Sequence, residues 1–438
     1  MCAVPKRKKT ISLKKTSAYA NYKKQNRKHG GKRQSAAPSQ TANAPTRRKN
    51  SNNPPQNKNA KGANQKSAAK TAPKRKTTAA GKGAAKQNRQ KMKKNLHISL
   101  DIAIDPGTSS IVVYVKGRGI VFNEPAVVAM DKTTGQVVAV GHAARSILKN
   151  ADENIEAIRP LKNGVIADYD VTEKMLQYFI EQAYGRSWVI KPRIMICMPY
   201  GATAMEEKAI KQAALQSGAR QAFLMDKPMA AAMGVGLDVH GVSGNLITDI
   251  GGGTTTVAVI ALDGIVAAQT ILCGGSQLNE AIIKDIRRAH GLLIGEHCAE
   301  DIKCSIGTAV ITDVNKKNSV KVKGKDLETG ESKTITYTAK ECNQAMMEHL
   351  NTIVNTINDM MEVISPELIS DIIAKGLVLT GGGAKLDNIA LFISQKTLLH
   401  VSTAEDPVFS VAKGMGKALD MLGRISSTGY FARKTLNK

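Results

Sequence analysis

Acidic residues are missing from the first 95 positions of the chain. The 438 residues include 63 Lys and Arg and 36 Asp and Glu, and 28 of the basic residues but none of the acidic ones lie in this segment. The other 343 residues are near neutral, so the formal net charge of +27 belongs to the first segment. Its Lys, Gln, Asn, Ser, Ala and Pro side chains cannot bury enough apolar surface to offset the entropy of ordering. We therefore predict that residues 1–95 are a disordered basic tail.

Long apolar runs and paired cysteines are also missing. No stretch of about 18 consecutive apolar residues occurs, which argues against a transmembrane helix. The first residues are basic without an apolar segment, so a secretory signal is not expected. The six cysteines form no CxxC pair or metal cluster, and we expect free thiols in a reducing cytoplasm. They are Cys2, Cys197, Cys273, Cys298, Cys304 and Cys342.

The part of the chain after the tail is too long for one hydrophobic core, so two lobes with a cleft between them are expected. Strand-like and helix-like patterns alternate in it. We predict a strand at Arg193–Pro199, helices at Ala204–Ser217, Met229–Leu237 and Pro407–Leu422, and a β-rich insert at Ser319–Thr338. This alternation predicts α/β layers with mixed sheets.

One short pattern occurs twice, as IDPGTSS at Ile104–Ser110 and as TDIGGGTTT at Thr248–Thr256. Each copy places an Asp at the end of a predicted strand, followed by a glycine turn and hydroxyl side chains. Glycines let the backbone approach a phosphate, and consecutive turn amides form an anion-binding concavity. The Asp of each copy suits a hydrated Mg²⁺, which needs few direct carboxylates.

A third glycine turn, TGGGA at Thr380–Ala384, follows the predicted strand at Leu377–Thr380. Each of these turns taken alone could equally be a tight β-turn. Two copies of one pattern together with a third glycine turn favour a clamp for a nucleoside triphosphate.

The three segments, in this order, are similar to the phosphate 1, phosphate 2 and adenosine motifs of the actin-like ATPase superfamily. Within it the chain resembles the MreB cell-shape family over nearly all of residues 97–425, including Gly119–Pro125, Ile158–Tyr169 and Pro228–Ala232. The resemblance implies ATP as the ligand and self-assembly into paired protofilaments. It also implies a cytoplasmic protein, peripheral at the inner face of the cell membrane, whose partners are membrane lipids and membrane proteins of the wall-synthesis machinery.

The fold that the resemblance implies is α/β. It is an actin-like two-lobed fold of four subdomains, with two mixed sheets and flanking helices around a nucleotide cleft. The first lobe would comprise residues 96–241 and 413–432, with a small subdomain near 129–161. The second lobe would comprise residues 242–412, with a small subdomain near 278–341.

The resemblance also assigns the site. It places the phosphates on the two copied turns, at Gly107, Thr108, Ser109, Ser110, Gly251, Gly252, Gly253, Thr254 and Thr255. It places the nucleoside on Glu300, Asp301, Ile302, Lys303, Gly381, Gly382, Gly383, Ala384 and Lys385. Asp105 and Asp249 would orient the hydrated Mg²⁺ and, with Thr255, support hydrolysis. Without the family pattern, Glu300 and Lys303 would be an i, i+3 surface pair on a helix.

The sequence departs from the family at a residue important for hydrolysis. The family has a Glu before the Pro that opens the Ala-rich helix, where it positions the attacking water, and here that residue is Lys227. A lysine has donors only, so it cannot accept a proton from water, although it can hold the γ-phosphate. Asp226 is acidic, but adjacent side chains at a strand end point in opposite directions.

Pro106 and Thr256 also replace the usual Leu and Glu of the family. From these departures together with Lys227, we hypothesise ATP binding with slow or absent hydrolysis.

Two segments are candidates for attachment. The only Trp of the chain lies in the apolar tripeptide Trp188, Val189 and Ile190, where the family has a membrane-insertion loop. This composition suits a lipid interface, and a Trp that covers the core is an equal alternative. The basic tail suits anionic lipid or nucleic acid, and we favour lipid because the tail has few aromatic residues to stack on bases. It can also be a solvated linker.

Other functions remain open. A chaperone ATPase would continue into a substrate-binding domain, yet only a short polar segment follows Leu422. A sugar kinase would need an Asp base in an acceptor pocket, and no segment suggests one. A DNA-segregation filament has only the basic tail in its support. Within the cell-shape family, Lys227 leaves open a nucleotide-locked, divergent paralogue.

Overall fold

The computed structural model describes residues 101–148, 154–162, 164–184 and 191–425. The predicted basic tail and the apolar tripeptide at 188–190 lie outside the described residues. Within the described ranges, strands and helices alternate along the chain, and the two largest sheets have five strands each.

The first large sheet is built around a buried central strand. Its strands are β1 (Asp101–Pro106), β2 (Ser110–Val115), β3 (Gly119–Pro125), β9 (Arg193–Met198) and β10 (Gln221–Asp226). They lie in the order β10-β9-β1-β2-β3. β10, β9 and β1 are parallel, β2 is antiparallel to β1, and β3 is antiparallel to β2. Every residue of β1 is buried, as expected for a strand covered on both faces.

The second large sheet repeats this topology. Its strands are β11 (Asn245–Ile250), β12 (Thr255–Ala261), β13 (Gly264–Ile271), β17 (Leu377–Thr380) and β18 (Val401–Thr403). The order is β13-β12-β11-β17-β18, and β11, β17 and β18 are parallel. The two copies of the sequence pattern therefore stand at equivalent places, after β1 and after β11. Both sheets are mixed, as predicted.

Three smaller sheets are inserted between these elements. One contains β4 (Val128–Asp131), β5 (Val137–Val140) and β6 (Ile155–Ile158), and another contains β14 (Leu292–Leu293), β15 (Ser319–Asp326) and β16 (Ser332–Thr338). The third pairs β7 (Leu161–Lys162) with β8 (Val165–Ile166). The two three-stranded sheets lie in the segments for which small subdomains were predicted.

The helices have sequence signals at their ends. They are α1 (Gly141–Leu148), α2 (Tyr169–Tyr184), α3 (Ala204–Gln216), α4 (Lys227–Val235), α5 (Gly275–His290), α6 (Glu296–Ile306), α7 (Ala339–Val363), α8 (Pro366–Lys375), α9 (Ile389–Thr397) and α10 (Ser410–Ile425). Thr203 with Glu206 and Thr338 with Glu341 form capping boxes that start α3 and α7. None of the helices in the described ranges is both long and apolar enough to cross a membrane.

Two predicted helices differ from the observed ones. The Ala-rich helix predicted from Met229 begins at Lys227, because Pro228 fits the first helical turn, where its missing N–H is not needed. The helix predicted over Pro407–Leu422 is a 3₁₀ turn at Pro407–Phe409 followed by α10. In both cases the observed start of the helical segment lies beside the cavity described below.

A central core joins the two large sheets through α4 and α10. It contains Ala103 of β1 and Ile247 of β11, together with small residues of the two helices such as Ala230 and Ala418. The helices approach so closely that a Cβ built on Gly234 would lie 1.7 Å from the Ser410 carbonyl oxygen, and one on Gly414 would lie 1.7 Å from that of Ala230. The glycines therefore set the spacing of the two helices.

This contact gives a stability prediction. We expect Gly414→Ala to lower the free energy of unfolding by about 1–3 kcal/mol, because the added methyl group collides with backbone that cannot yield locally. The measurement is chemical unfolding of the full chain. Gly264→Ala is the control, since a Cβ there would lie 3.7 Å from the Ala261 carbonyl oxygen, which is an ordinary van der Waals contact. Equal midpoints for the two variants would contradict the role of the helix contact.

Candidate functional site

A cavity of about 580 Å³ lies where the two large sheets bring the ends of β1 and β11 together. All three predicted glycine turns line it. From the first turn these are Gly107, Thr108, Ser109 and Ser110, from the second Gly251, Gly252, Gly253 and Thr254, and from the third Gly381, Gly382, Gly383 and Lys385. The tertiary structure thus brings together segments that are more than 250 residues apart in sequence.

The first two turns approach each other directly. A Cβ built on Gly252 would lie 2.1 Å from the Ser109 hydroxyl oxygen, so the second turn has no room for a side chain at this position. The amide of Gly275 donates to the Gly251 carbonyl at 3.0 Å, and the amide of Ser276 donates to that of Gly252 at 2.7 Å. The start of α5 therefore holds the second turn in place.

The third turn depends on a glycine in the left-handed region. Gly381 has φ +83°, and a Cβ there would lie 2.3 Å from the Ile250 carbonyl oxygen. Its amide donates to the Pro407 carbonyl at 2.8 Å. This turn is thereby fixed against both the end of β11 and the chain that enters α10.

Two carboxylates and one ammonium group lie at the floor of the cavity. Lys227 Nζ is 3.8 Å from Asp105 Oδ1 and 3.4 Å from Asp249 Oδ2. The side chains are 18%, 11% and 4% exposed for Lys227, Asp105 and Asp249. The other oxygen of Asp249 accepts a hydrogen bond from the Thr380 hydroxyl at 3.1 Å. β1, β11, β17 and the start of α4 each contribute one side chain to this cluster.

The protonation of the cluster follows from burial and charge. Burial alone would lower the pKa of the Lys227 ammonium, but the charges of Asp105 and Asp249 raise it above its usual value. Burial raises the pKa of the Asp105 carboxyl, with the Lys227 charge acting in the opposite direction. Burial also raises the pKa of the neighbouring Cys197 thiol well above its usual range. Lys227 is therefore a cation, and Cys197 is neutral.

A second polar cluster forms the opposite wall. Lys303 Nζ donates to Glu300 Oε2 at 2.8 Å and to the Gly275 carbonyl at 3.0 Å, and Asn279 also donates to Glu300 Oε2, at 2.7 Å. Burial raises the pKa of Glu300, but the Lys303 charge and these hydrogen bonds lower it overall. Glu300 and Lys303 both line the cavity. Glu300 and Lys303 are therefore more than an i, i+3 surface pair, because Lys303 also donates a hydrogen bond to the carbonyl of Gly275, the first residue of α5.

Some predicted residues have side chains away from the cavity. Thr255 is fully buried and donates to the Cys273 carbonyl at 2.6 Å, and Ile302 lies in the hydrophobic core. Asp301 is exposed, Ala384 is buried in the core, and Asp226 occupies the N-cap position of α4 without a capping hydrogen bond from its side chain. None of these five is among the residues that line the cavity. The family pattern identifies segments of the site and not single side chains. Because neighbouring side chains in a helix or strand point in different directions, only some residues of each segment face the cavity.

Other lining residues were not predicted. They are Gly164, Gly275, Ser305, Asn315, Asn318 and Asp387 among others. Asn315 and Asp387 are 72 positions apart and joined by a hydrogen bond of 3.2 Å from Asn315 Nδ2. They lie in loops without a recognisable pattern, so only the tertiary contact reveals them. Gly275 had a weak signal, as a glycine between a strand and a helix.

The predicted metal position does not fit a dication readily. Asp105 and Asp249, which the family resemblance assigned to hydrated Mg²⁺, both face the Lys227 ammonium. A dication beside these two carboxylates would also be repelled by the ammonium group. Two like unit charges about 4 Å apart repel each other by about 4 kcal/mol at an effective dielectric constant of about 20.

Comparison with known proteins identifies the family. The family model for MreB/Mbl protein matches residues 99–427. The chain belongs to the MreB/Mbl family. It is 46% identical over 329 residues to the cell shape-determining protein MreB of Escherichia coli (strain K12), covering 74% of this chain and 94% of that protein. It is 42% identical over 325 residues to the cell shape-determining protein Mbl of Bacillus subtilis (strain 168), covering 74% and 97%.

Solved structures agree with this membership. The crystal structure of MreB 5 of Spiroplasma citri bound to AMPPNP is 29% identical, with a TM-score of 0.71, and the match covers 75% of this chain and 98% of that one. The MamK double helical filament is 21% identical with a TM-score of 0.63, covering 74% and 99%, and supports the fold alone. The predicted resemblance to the MreB family and the predicted actin-like α/β fold are both confirmed.

The Thr380 hydrogen bond gives a second prediction for this MreB/Mbl chain. We expect Thr380→Val to lower the free energy of unfolding by about 1.5–3 kcal/mol, because a buried carboxylate loses its hydroxyl donor. Thr356→Val is the matched control, since the buried Thr356 hydroxyl donates only to a neutral carbonyl within α7. The control should lose about 1 kcal/mol. An equal loss in both variants, measured by chemical unfolding, would contradict a special role for this bond.

Proposed function

We propose that this chain is an actin-like, cell-shape-determining protein that binds ATP in the cavity and assembles into filaments. The observation that carries the proposal is the meeting of three glycine turns at one cavity. Turn amides and hydroxyls from both sides suit the phosphates, and the Glu300 and Lys303 wall suits the ribose. Membership of the MreB/Mbl family supplies the cell-shape role.

Structures of a relative support the nucleotide. MreB 5 of Spiroplasma citri is described bound to AMPPNP and, in another crystal structure, bound to ADP. We propose that the corresponding ligand here is ATP, with its phosphates on the first two turns and its nucleoside beside Gly381–Lys385. Mg²⁺, which the resemblance implied, is left out of this proposal because Asp105 and Asp249 contact Lys227.

Hydrolysis in this chain is proposed to be slow or absent. The residue that would position the attacking water is Lys227, whose ammonium group has no acceptor for a proton. Asp226 does not line the cavity and stands at the start of α4. Both observations favour a subunit that keeps its nucleotide bound. Such a subunit would be a divergent paralogue that works beside an ordinary family member.

Replacing Lys227 tests the hydrolysis proposal. We expect Lys227→Glu to raise phosphate release from ATP with Mg²⁺ by at least about tenfold, because a carboxylate can position and deprotonate water. Lys396→Glu, which makes the same charge change on the exposed face of α9, should leave the rate unchanged. Single-turnover phosphate release is the measurement. The proposal would be contradicted if the unmodified chain released phosphate rapidly and Asp226→Ala abolished that release.

Attachment to the inner face of the cell membrane is the second part of the proposal. Family membership supports it, together with the composition of Trp188–Ile190 and the charge of residues 1–95. Partners would then be further copies of this chain, lipids and membrane proteins of wall synthesis. A DNA-segregation filament is not favoured, since only the tail supports it.

Vesicle binding tests the attachment. We expect the full chain to sediment with vesicles of anionic lipid, since each basic residue near such a surface contributes about 1 kcal/mol. Replacing Trp188, Val189 and Ile190 together by Ser should weaken binding, because the interface loses its apolar anchor. Met205→Ser, at a side chain that is 82% exposed elsewhere, is the control. Sedimentation with duplex DNA but not with vesicles would favour the segregation alternative.

A further inference from the structure

The Lys227 ammonium group stands between two carboxylates at the floor of the cavity. Its nitrogen lies 3.8 Å from Asp105 Oδ1 and 3.4 Å from Asp249 Oδ2. It also lies 3.9 Å from the position that a Cβ of Gly251 would take, and therefore next to the second phosphate-type turn. One cation is thus in contact with both acidic residues and beside the backbone that would receive a phosphate.

The two carboxylates need a cation at this place. They extend from equivalent strands of the two sheets, are nearly buried, and repel each other across the cavity floor. With a Glu at position 227, as in the family pattern, this group would carry three negative charges, and a divalent cation would be required to balance it. With Lys227, the group carries a single net negative charge.

Lys227 cannot easily leave this position. It is the first residue of α4, where the helix dipole disfavours a positive charge, so the carboxylates must offset that cost. The next residue, Pro228, is buried, and α4 is packed against α10 through backbone contacts. The stem of the side chain is therefore held by a rigid helix while its ammonium group faces the cavity.

The other lysines that line the cavity are in a different setting. Lys303 is bound to Glu300 and to the Gly275 carbonyl on the nucleoside side. Lys385 follows the third glycine turn. Among the described lining residues, Lys227 is the cation that contacts both Asp105 and Asp249.

We propose that the Lys227 ammonium group takes the place of the divalent cation, so that a nucleoside triphosphate binds to this chain without Mg²⁺. This inference rests on the proposed nucleotide-binding function. The ammonium group donates hydrogen bonds to the β- and γ-phosphate oxygens while its positive charge offsets one of the two carboxylate charges. A hydrated dication cannot approach the same carboxylate oxygens without displacing the lysine.

The experiment is equilibrium binding of ATP to the full chain, by calorimetry, once in EDTA and once in excess Mg²⁺. We expect the dissociation constant in EDTA to lie within about threefold of that in Mg²⁺, or below it. Binding that Mg²⁺ strengthens by more than about threefold overturns this inference and leaves the proposed function standing. Absence of binding in both conditions overturns both.

Two variants check that Lys227 is the reason. Lys227→Met keeps the stem and removes the charge, and should weaken binding in EDTA by at least about tenfold. Lys227→Glu should also lose binding in EDTA and regain it when Mg²⁺ is added. Lys396→Met, an equal charge loss on α9, should bind as the unmodified chain does. Unchanged EDTA binding by Lys227→Met overturns the role of the lysine. The comparison of the unmodified chain in the two conditions needs no variant and decides the inference even if a variant fails to fold.

Discussion

The contact between α4 and α10 at Gly234 and Gly414 is the constraint on which the rest of the structure depends. Backbone approaches backbone there so closely that a single methyl group would collide with it. Because the two helices lie in the core that joins the two large sheets, their spacing decides how far β1 stands from β11. The ends of these strands then meet at one cavity. A wider helix contact would separate the two halves of the site.

This arrangement also explains how one residue can alter the chemistry of the whole cavity. Position 227 is the first residue of α4, so its side chain starts from the same rigid element that fixes the sheets. The ammonium group of Lys227 faces Asp105 and Asp249 at close range. A carboxylate would add to their charge and could handle a proton of water. An ammonium group offsets one of their two negative charges and cannot accept a proton, and the proposals of metal-free nucleotide binding and of slow or absent hydrolysis rest on these two properties.

Much of the architecture could be predicted because it rests on local rules. Apolar runs, glycine turns and capping residues indicated most strands and helices, and the repeat of one Asp-glycine-hydroxyl pattern indicated two equivalent halves. Helix starts were harder to place. The Ala-rich helix was predicted from Met229 but begins at Lys227, because Pro228 is compatible with the first helical turn. The side chains of Thr255 and Ile302 were assigned to the site with their segments but lie elsewhere, since a motif does not state which way each side chain points.

The sequence by itself determined the family, the fold class, the glycine turns and the presence of a lysine where the family has a glutamate. These depend on residue identity and spacing along the chain, which are visible without coordinates. Only the tertiary structure decided that the lysine contacts both carboxylates, that Thr380 donates to Asp249, and that Asn315 meets Asp387. Such contacts join residues that are distant in sequence, and their geometry is set by the packing of α4, α10 and the two sheets.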